Sequence, residues 1–296
     1  QLYNNIWWGQ RGNFLSVPTD CPQRDERLGW TGDTQIFART ALYNSDAKDF
    51  YRKWMRDLRN SQREDGAYPD IAPYNNFWGY GTAAWGDAGV ILPWTVYEMT
   101  GDRTILEENY ASMTRYMQWL STQEETVEGK RYTHIGAGTA TGDWLAYAPI
   151  ESRYVSMAYY AYVAQLMDSI SATLGKQREA ESYRALYADI RQEFQQRYML
   201  PDGALREHTQ TAYLLALRFD LLPEQHRAAA RQALRRLIEE NDYCLSTGFV
   251  GTGILCSTLT DEGMNDLAYA LLLQRKNPSW LYSIDQGATT VWERWD

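Results

Sequence analysis

Apolar side chains return at helical spacing along almost the whole chain, and that regularity leaves little room for anything but an all-α fold. In the segment SDAKDFYRKWMRDLRNSQ, Ala47, Phe50, Trp54, Met55 and Leu58 share one face, with charges opposite. Leu106, Met113, Tyr116, Met117 and Leu120 do the same within 103–121. So do Val155, Tyr159, Tyr162, Leu166, Ile170 and Leu174 within 152–174. Further helices are expected near 33–43, 84–100, 177–199, 208–219, 223–240, 251–259 and 261–273. Strand-type alternation never persists. Thr100-Gly101-Asp102 reads as a C-cap glycine followed by an N-cap aspartate. Leu222-Pro223-Glu224 puts a proline at a helix start, where its missing N–H does no harm.

With partial helices at both ends, about eleven or twelve helical segments follow one another, joined alternately by short and long links. The long links, 19–32, 62–83, 122–151 and 274–286, carry Gly, Trp and Asp together. Helical hairpins arranged in a ring, with the long loops on one face, satisfy this pattern; the expected fold is an (α/α)6 toroid or barrel filling residues 1–296 as a single domain. There is no sequence repeat to suggest a regular solenoid.

Several functions are disfavoured. A formal net charge of −9 argues against a nucleic-acid partner. No run of about 18 apolar residues exists to span a membrane. The opening QLYNNIWWGQRGN lacks the basic start and apolar core of a signal peptide, and the compartment stays open. Cys21, Cys244 and Cys256 make an odd count without CxxC spacing, and His134, His208 and His226 are scattered without HExxH. Neither a metal nor a cofactor is expected. GFVGTG at 248–253 lacks the preceding strand and acidic partner of a dinucleotide loop and reads as a turn joining helices.

The aromatic content points elsewhere. Twelve Trp and 22 Tyr against seven Phe favour rings with a polar handle, costly to bury without a partner. They suit a sugar cleft, since a pyranose shows C–H faces and a hydroxyl rim; an aromatic-rich core is the plainer explanation. The link stretch TDCPQRDERLGWTGD crowds Asp20, Arg24, Asp25, Glu26, Arg27 and Asp33 around Trp30, with Pro22, Gly29 and Gly32 opposing a helix. Acid beside Trp recurs at Trp85-Gly86-Asp87, at Asp143-Trp144, and at GATTVWERWD, where Glu293 lies between Trp292 and Trp295. A glycosidase needs two carboxylates for proton work, others to hold hydroxyls, and rings to wall the sugar. Simpler roles exist for some: an N-cap for Asp33, Asp87 or Asp102, surface ion pairs for Arg24 and Arg27, and packing for Trp7 and Trp8. A general acid needs a raised pKa, whereas flanking arginines would lower that of Glu26 and nearby aspartates raise it.

TDCPQRDERLGWTGD, Trp85-Gly86-Asp87, Thr141-Gly142-Asp143-Trp144 and the late GATTVWERW together resemble the bacterial α-L-rhamnosidases of glycoside hydrolase family 78, in matching order along essentially the whole chain. The resemblance implies an (α/α)6 barrel that removes terminal α-L-rhamnose from plant glycosides or polysaccharides with inversion. It implies Glu26 as general acid and Glu293 as general base. Asp20, Arg24, Asp33 and Asp143 would hold the sugar, with Trp30, Trp85, Trp144 and Trp292 lining the pocket. An inverting pair is expected roughly 6.5–9.5 Å apart. Family members usually carry β-sandwich domains on both sides of the barrel and a sugar-contacting histidine in its final helix. Here that helix would lie beyond Asp296, so the barrel is expected to be incomplete at its C-terminus. A truncated rhamnose-binding fragment, a trehalase-like or unsaturated-uronyl hydrolase, and a helical scaffold are the alternatives.

Overall fold

The computed structural model describes residues 1–136 and 142–295. In chain order the described residues form α1 (Leu2–Asn13), α2 (Thr31–Asn44), α3 (Lys48–Asn60), α4 (Ala88–Thr100) and α5 (Thr104–Leu120), then the strands β1 (Glu125–Val127) and β2 (Lys130–Tyr132). After these come α6 (Ser152–Thr173), α7 (Gln177–Tyr198), α8 (Gln210–Arg218), α9 (Glu224–Glu240), α10 (Phe249–Asp261), α11 (Asn265–Leu273) and α12 (Trp280–Asp285). The expected all-α class holds, with β1 and β2 forming only a small antiparallel hairpin. No helix among the described residues is long and apolar enough to cross a membrane. The chain divides into two compact units, Gly12–Ala140 with Tyr159–Glu193, and Gln1–Arg11 with Thr141–Ala158 and Phe194–Asp296.

In the first unit α4 packs against α2, α3 and α5. Its residues Ala88 to Pro93 are all buried, as a helix surrounded by others requires. The stripe on α3 buries Trp54, Met55 and Leu58 as its spacing predicts, joined by Tyr51 rather than Phe50, which stacks on Phe14 at 4.5 Å. All five stripe positions of α5 are buried. α4 begins four residues later than its apolar pattern suggests. The Asp87 carboxylate accepts from the Ala84 N–H at 2.7 Å, and Ala84 takes a left-handed φ of 69°, so the chain turns there before the helix starts. Gly101 closes α4 in the left-handed conformation, φ 71°. Asp102 then accepts from the Thr104 N–H at 3.0 Å, the capping role its position foretold.

In the second unit α8 packs against α9 and α10, α10 against α11, and α11 against α12. A Cβ on Gly251 would lie 2.5 Å from the Thr211 hydroxyl, so glycine is what lets α10 approach α8. GFVGTG forms the opening of α10, not a dinucleotide loop. The short α12 falls inside a stretch whose sequence reads as a link. Six residues are too few for a periodic signal, and the Ser279 cap accepting the Tyr282 N–H at 3.1 Å is what marks it. A part of the tyrosine content is core: Tyr51, Tyr68, Tyr116, Tyr154, Tyr160, Tyr198 and Tyr213 are buried. The plainer reading of the tyrosine content is therefore right for these. Trp8, expected to pack, is 59% exposed under the Arg11 guanidinium.

Candidate active site

In the first unit the charged loop before α2 is held to the segment 70–72. Ala72 N–H donates to Gly29 O at 2.9 Å, and the Thr31 N–H and hydroxyl both donate to Asp70 O. A Cβ on Gly29 would meet Ala72 O at 2.2 Å, so only glycine permits this approach. Within the loop, Asp20 and Leu28 tie across the base. The Asp20 N–H reaches Leu28 O at 2.9 Å, and the Leu28 N–H reaches Asp20 Oδ1 at 2.7 Å. The Asn13 side chain donates to Asp20 O at 2.5 Å and to Thr19 O at 2.8 Å, fixing the loop's entry.

Glu26 is the hub of this loop. Arg24 donates to its Oε2 through Nε at 3.0 Å and Nη2 at 2.6 Å, and the Trp30 indole N–H donates to Oε1 at 3.0 Å. Sequence left open whether the arginines face Glu26. Arg24 does; Arg27 instead donates to Pro22 O at 3.1 Å and lies 3.9 Å from Asp25. Burial pushes the Glu26 carboxyl up, but its hydrogen bonds with Asp20, Trp30 and Arg24 outweigh that and hold it below the usual range. Asp20 moves the other way. Burial lifts it, the Cys21 and Leu28 N–H groups oppose the rise, and the neighbouring Glu26 adds to it. The two carboxyls thus titrate as a pair, the Asp20 side raised and the Glu26 side lowered.

Asp33 lies in the first turn of α2, past its N-cap Trp30, so the simple N-cap role does not apply. Trp85 is 9% exposed, and a Cβ on Gly32 would lie 2.7 Å from its ring. Gly32 therefore seats Trp85 on the first turn of α2, beside Asp33. The turn that carries Trp85 is pinned by two buried carboxylates. Asp70 accepts from the Thr82 N–H and hydroxyl, and Asp87 accepts from Ala84 and from the Tyr116 hydroxyl at 2.9 Å. Burial pushes Asp87 up to about 6.

In the second unit Asp143 and Trp144 precede α6. Asp143 is 3% exposed and both its oxygens are engaged: Thr211 Oγ1 at 2.5 Å and Gly248 N at 2.8 Å on Oδ2, Val250 N at 2.7 Å on Oδ1, with Gly251 N beyond. It caps the start of α10 from a distant part of the chain. Trp144 O accepts the Phe249 N–H at 2.8 Å while its ring stays 41% exposed. The Trp295 indole donates to Thr247 O at 3.0 Å, bringing the segment of Trp292 and Glu293 to the same turn. Trp292 and Glu293 are exposed there. Asn5 holds the approach to that segment through Ala288 O at 2.8 Å. Thr141, part of the third motif, lies outside the described residues.

Asp20, Cys21 and Glu26 each offer a ligand atom within 4.8 Å of the others. Burial and the Asp20 charge push the Cys21 thiol up to about 12, and Arg24 and Trp30 occupy Glu26, so these atoms are committed to one another.

A family model described as the bacterial alpha-L-rhamnosidase 6 hairpin glycosidase domain matches residues 1–296. The chain belongs to that family. Over its whole length it is 45% identical to an alpha-L-rhamnosidase of Streptomyces avermitilis, spanning 28% of that protein, and 41% identical to one of Formosa agariphila, spanning 32%. The crystal structure of the Streptomyces avermitilis enzyme complexed with L-rhamnose matches all of the chain with a TM-score of 0.92 and 45% identity, 28% of the solved chain being covered. That of the Aspergillus terreus enzyme matches all of it with a TM-score of 0.91 and 38% identity, 35% being covered. This rhamnosidase-family domain thus spans about a third of its relatives' length. Family membership sets aside the trehalase-like and uronyl-hydrolase alternatives and the bare scaffold.

The sequence reading of this rhamnosidase-family domain passed over Phe77 and Trp78, in the long link before α4. Trp78 lies against Trp30, ring centres 5.0 Å apart. The signal was available: Phe77 and Trp78 are adjacent large aromatics in a long link, between Asn75-Asn76 and Gly79.

Proposed function

We propose that the protein carrying this domain hydrolyses terminal α-L-rhamnosides of plant-type glycosides or polysaccharides with inversion, residues 1–296 serving as one catalytic domain. Glu26 is the acid that protonates the departing oxygen, and Glu293 the base that activates water. The observation that carries this reading is the seat of Glu26, gripped by Arg24 and Trp30 beside Asp20 within the most specific of the family's motifs. The L-rhamnose in the Streptomyces avermitilis relative supports the choice of sugar.

The chemistry needs a proton on Glu26 when the glycosidic bond breaks. Arg24 holds that carboxylate ionised. Sugar hydroxyls that draw Arg24 away remove a stabilising charge and raise the proton affinity of Glu26, which then takes up a proton from solvent before the bond breaks. Protonation by Glu26 then releases the leaving group as an alcohol. Glu293 takes a proton from water, which attacks the anomeric carbon from the opposite face. Trp30 and Trp85 offer apolar walls for a sugar whose sixth carbon carries no hydroxyl. Asp33, Trp144 and Trp292 complete the proposed sugar contacts; Asp143 acts by holding Trp144 in place.

The test is hydrolysis of an aryl α-L-rhamnoside and of a rhamnosyl disaccharide by the full-length protein, with the product anomer followed by NMR. Glu293→Gln is expected to abolish turnover of both substrates. Glu26→Gln should spare the aryl substrate, whose good leaving group needs little protonation, and lose the disaccharide by a factor of roughly 100 or more. Equal losses on both substrates would remove Glu26 as the acid, and retention of configuration would overturn the inverting mechanism.

A further inference from the structure

The loop between segment 70–72 and the Trp85 turn carries large aromatic rings into solvent although its backbone is closely braced. Phe77 is 76% exposed and Trp78 39%, and the two meet edge to face at 5.1 Å, 85°. Trp78 in turn lies against Trp30, tilted by 58°, and the Trp30 indole N–H holds Glu26. The three rings therefore form one continuous aromatic strip running from the carboxylate hub outward to solvent.

The strip is pre-formed. Pro69 and Tyr80 bridge at its base, and the Asp70 N–H donates to Gly79 O at 3.0 Å. The Tyr74 hydroxyl donates to Trp78 O at 3.0 Å, the Ser61 hydroxyl accepts the Tyr74 N–H at 3.2 Å, and Asn75 Oδ1 accepts the Phe77 N–H at 3.1 Å. The Tyr74 and Tyr80 rings of the same loop lie 4.6 Å apart, with the Arg63 guanidinium over Tyr80. A loop braced at both ends and still exposing a Phe and a Trp forgoes their burial, while a ring that lands on them meets surfaces needing no reordering.

We propose that Phe77 and Trp78 form a leaving-group subsite, a platform for a ring attached through the rhamnosidic oxygen that presents an apolar face: a planar phenol or the C–H face of a second sugar. This rests on the reading of Glu26 as the acid. The leaving oxygen must come within hydrogen-bonding reach of that carboxyl, so whatever the oxygen carries projects past Trp30. The strip offers faces and few polar groups, which suits ring stacking rather than recognition of hydroxyl patterns.

The experiment compares kcat/KM of the full-length protein for methyl α-L-rhamnoside, for a rhamnoside of a planar polycyclic phenol, and for a rhamnosyl-glucose disaccharide. It uses the wild type, the double variant Phe77→Ala/Trp78→Ala, and Trp78→Phe. The double variant is expected to lower the preference for the ring-bearing substrates over the methyl glycoside by about tenfold. Trp78→Phe, which keeps a ring, should restore most of it. A drop for both ring-bearing substrates supports a platform for any apolar ring face, and a drop for the phenol alone supports an aromatic-selective one. Unchanged ratios, including an equal loss on all three substrates, overturn the subsite while leaving the rhamnosidase reading standing. A wild type that cleaves none of the three overturns that reading, and the subsite with it.

Discussion

Replacing Asp143 with alanine separates two roles that sequence alone cannot tell apart. As a sugar ligand it should govern affinity; as the cap of α10 it should govern stability. Its side chain accepts from the N–H groups of Gly248 and Val250 and from the Thr211 hydroxyl at 2.5–2.8 Å, with Gly251 N at 3.3 Å, all in a site 3% exposed. Each bond is to a carboxyl in low dielectric, worth about 1.5–3 kcal/mol, and removing the acceptor strands donors that water does not reach. These contributions are not additive, and a net loss of about 3–5 kcal/mol is expected. For a urea slope near 3 kcal/mol/M the unfolding midpoint of this domain should fall by roughly 1 M or more. The assay is urea unfolding followed by tryptophan fluorescence, with L-rhamnose binding measured calorimetrically under folding conditions. A loss below about 1 kcal/mol, together with abolished rhamnose binding, would refute the capping role.

Two further perturbations follow from the first unit. Gly32→Ala would put a Cβ 2.7 Å from the Trp85 ring, displacing the indole from the first turn of α2. The expected destabilisation is about 1–3 kcal/mol, with weaker rhamnose binding, and unchanged affinity by calorimetry would return Trp85 to a packing role. Asp87 has a folded pKa of about 6 against an ordinary 3.8, raised by burial, so folding favours its neutral form. Its stabilisation is full below about pH 4 and is lost as pH rises through about 6, a span of about 3 kcal/mol. Asp87→Asn should flatten that fall in urea titrations taken between pH 4 and 7, and an unaltered profile would exclude Asp87 as its source.

Helix class, the capping at Gly101 and Asp102, and the charged loop around Glu26 were legible in the sequence because each depends on neighbours a few residues away. The spacing of α3 and α5 carried their buried faces directly. What failed was what depends on distant partners. The start of α4 is set by the Asp87 carboxylate turning back to Ala84, and α12 is too short for any period to show. The acid-beside-Trp pattern found real features but could not sort them. Asp87 and Asp143 carry the same local signature as Glu26, yet the first is closed by Tyr116 and the second by α10, while Glu26 keeps a half-buried seat beside Arg24.

The sequence by itself determined the helical architecture and which carboxylates stand beside tryptophans, since periodicity and motif order are properties of the linear chain. Only the tertiary structure decided which way the proton affinity of the buried ones moves. A carboxyl's proton affinity depends on the dielectric and on the donors within about 4 Å, and those come from residues far apart in sequence. Thr211 and Gly248 reach Asp143, and Tyr116 reaches Asp87. In the same way Trp78 joins Trp30 across a long link, so the aromatic strip beside Glu26 exists only once the chain has folded.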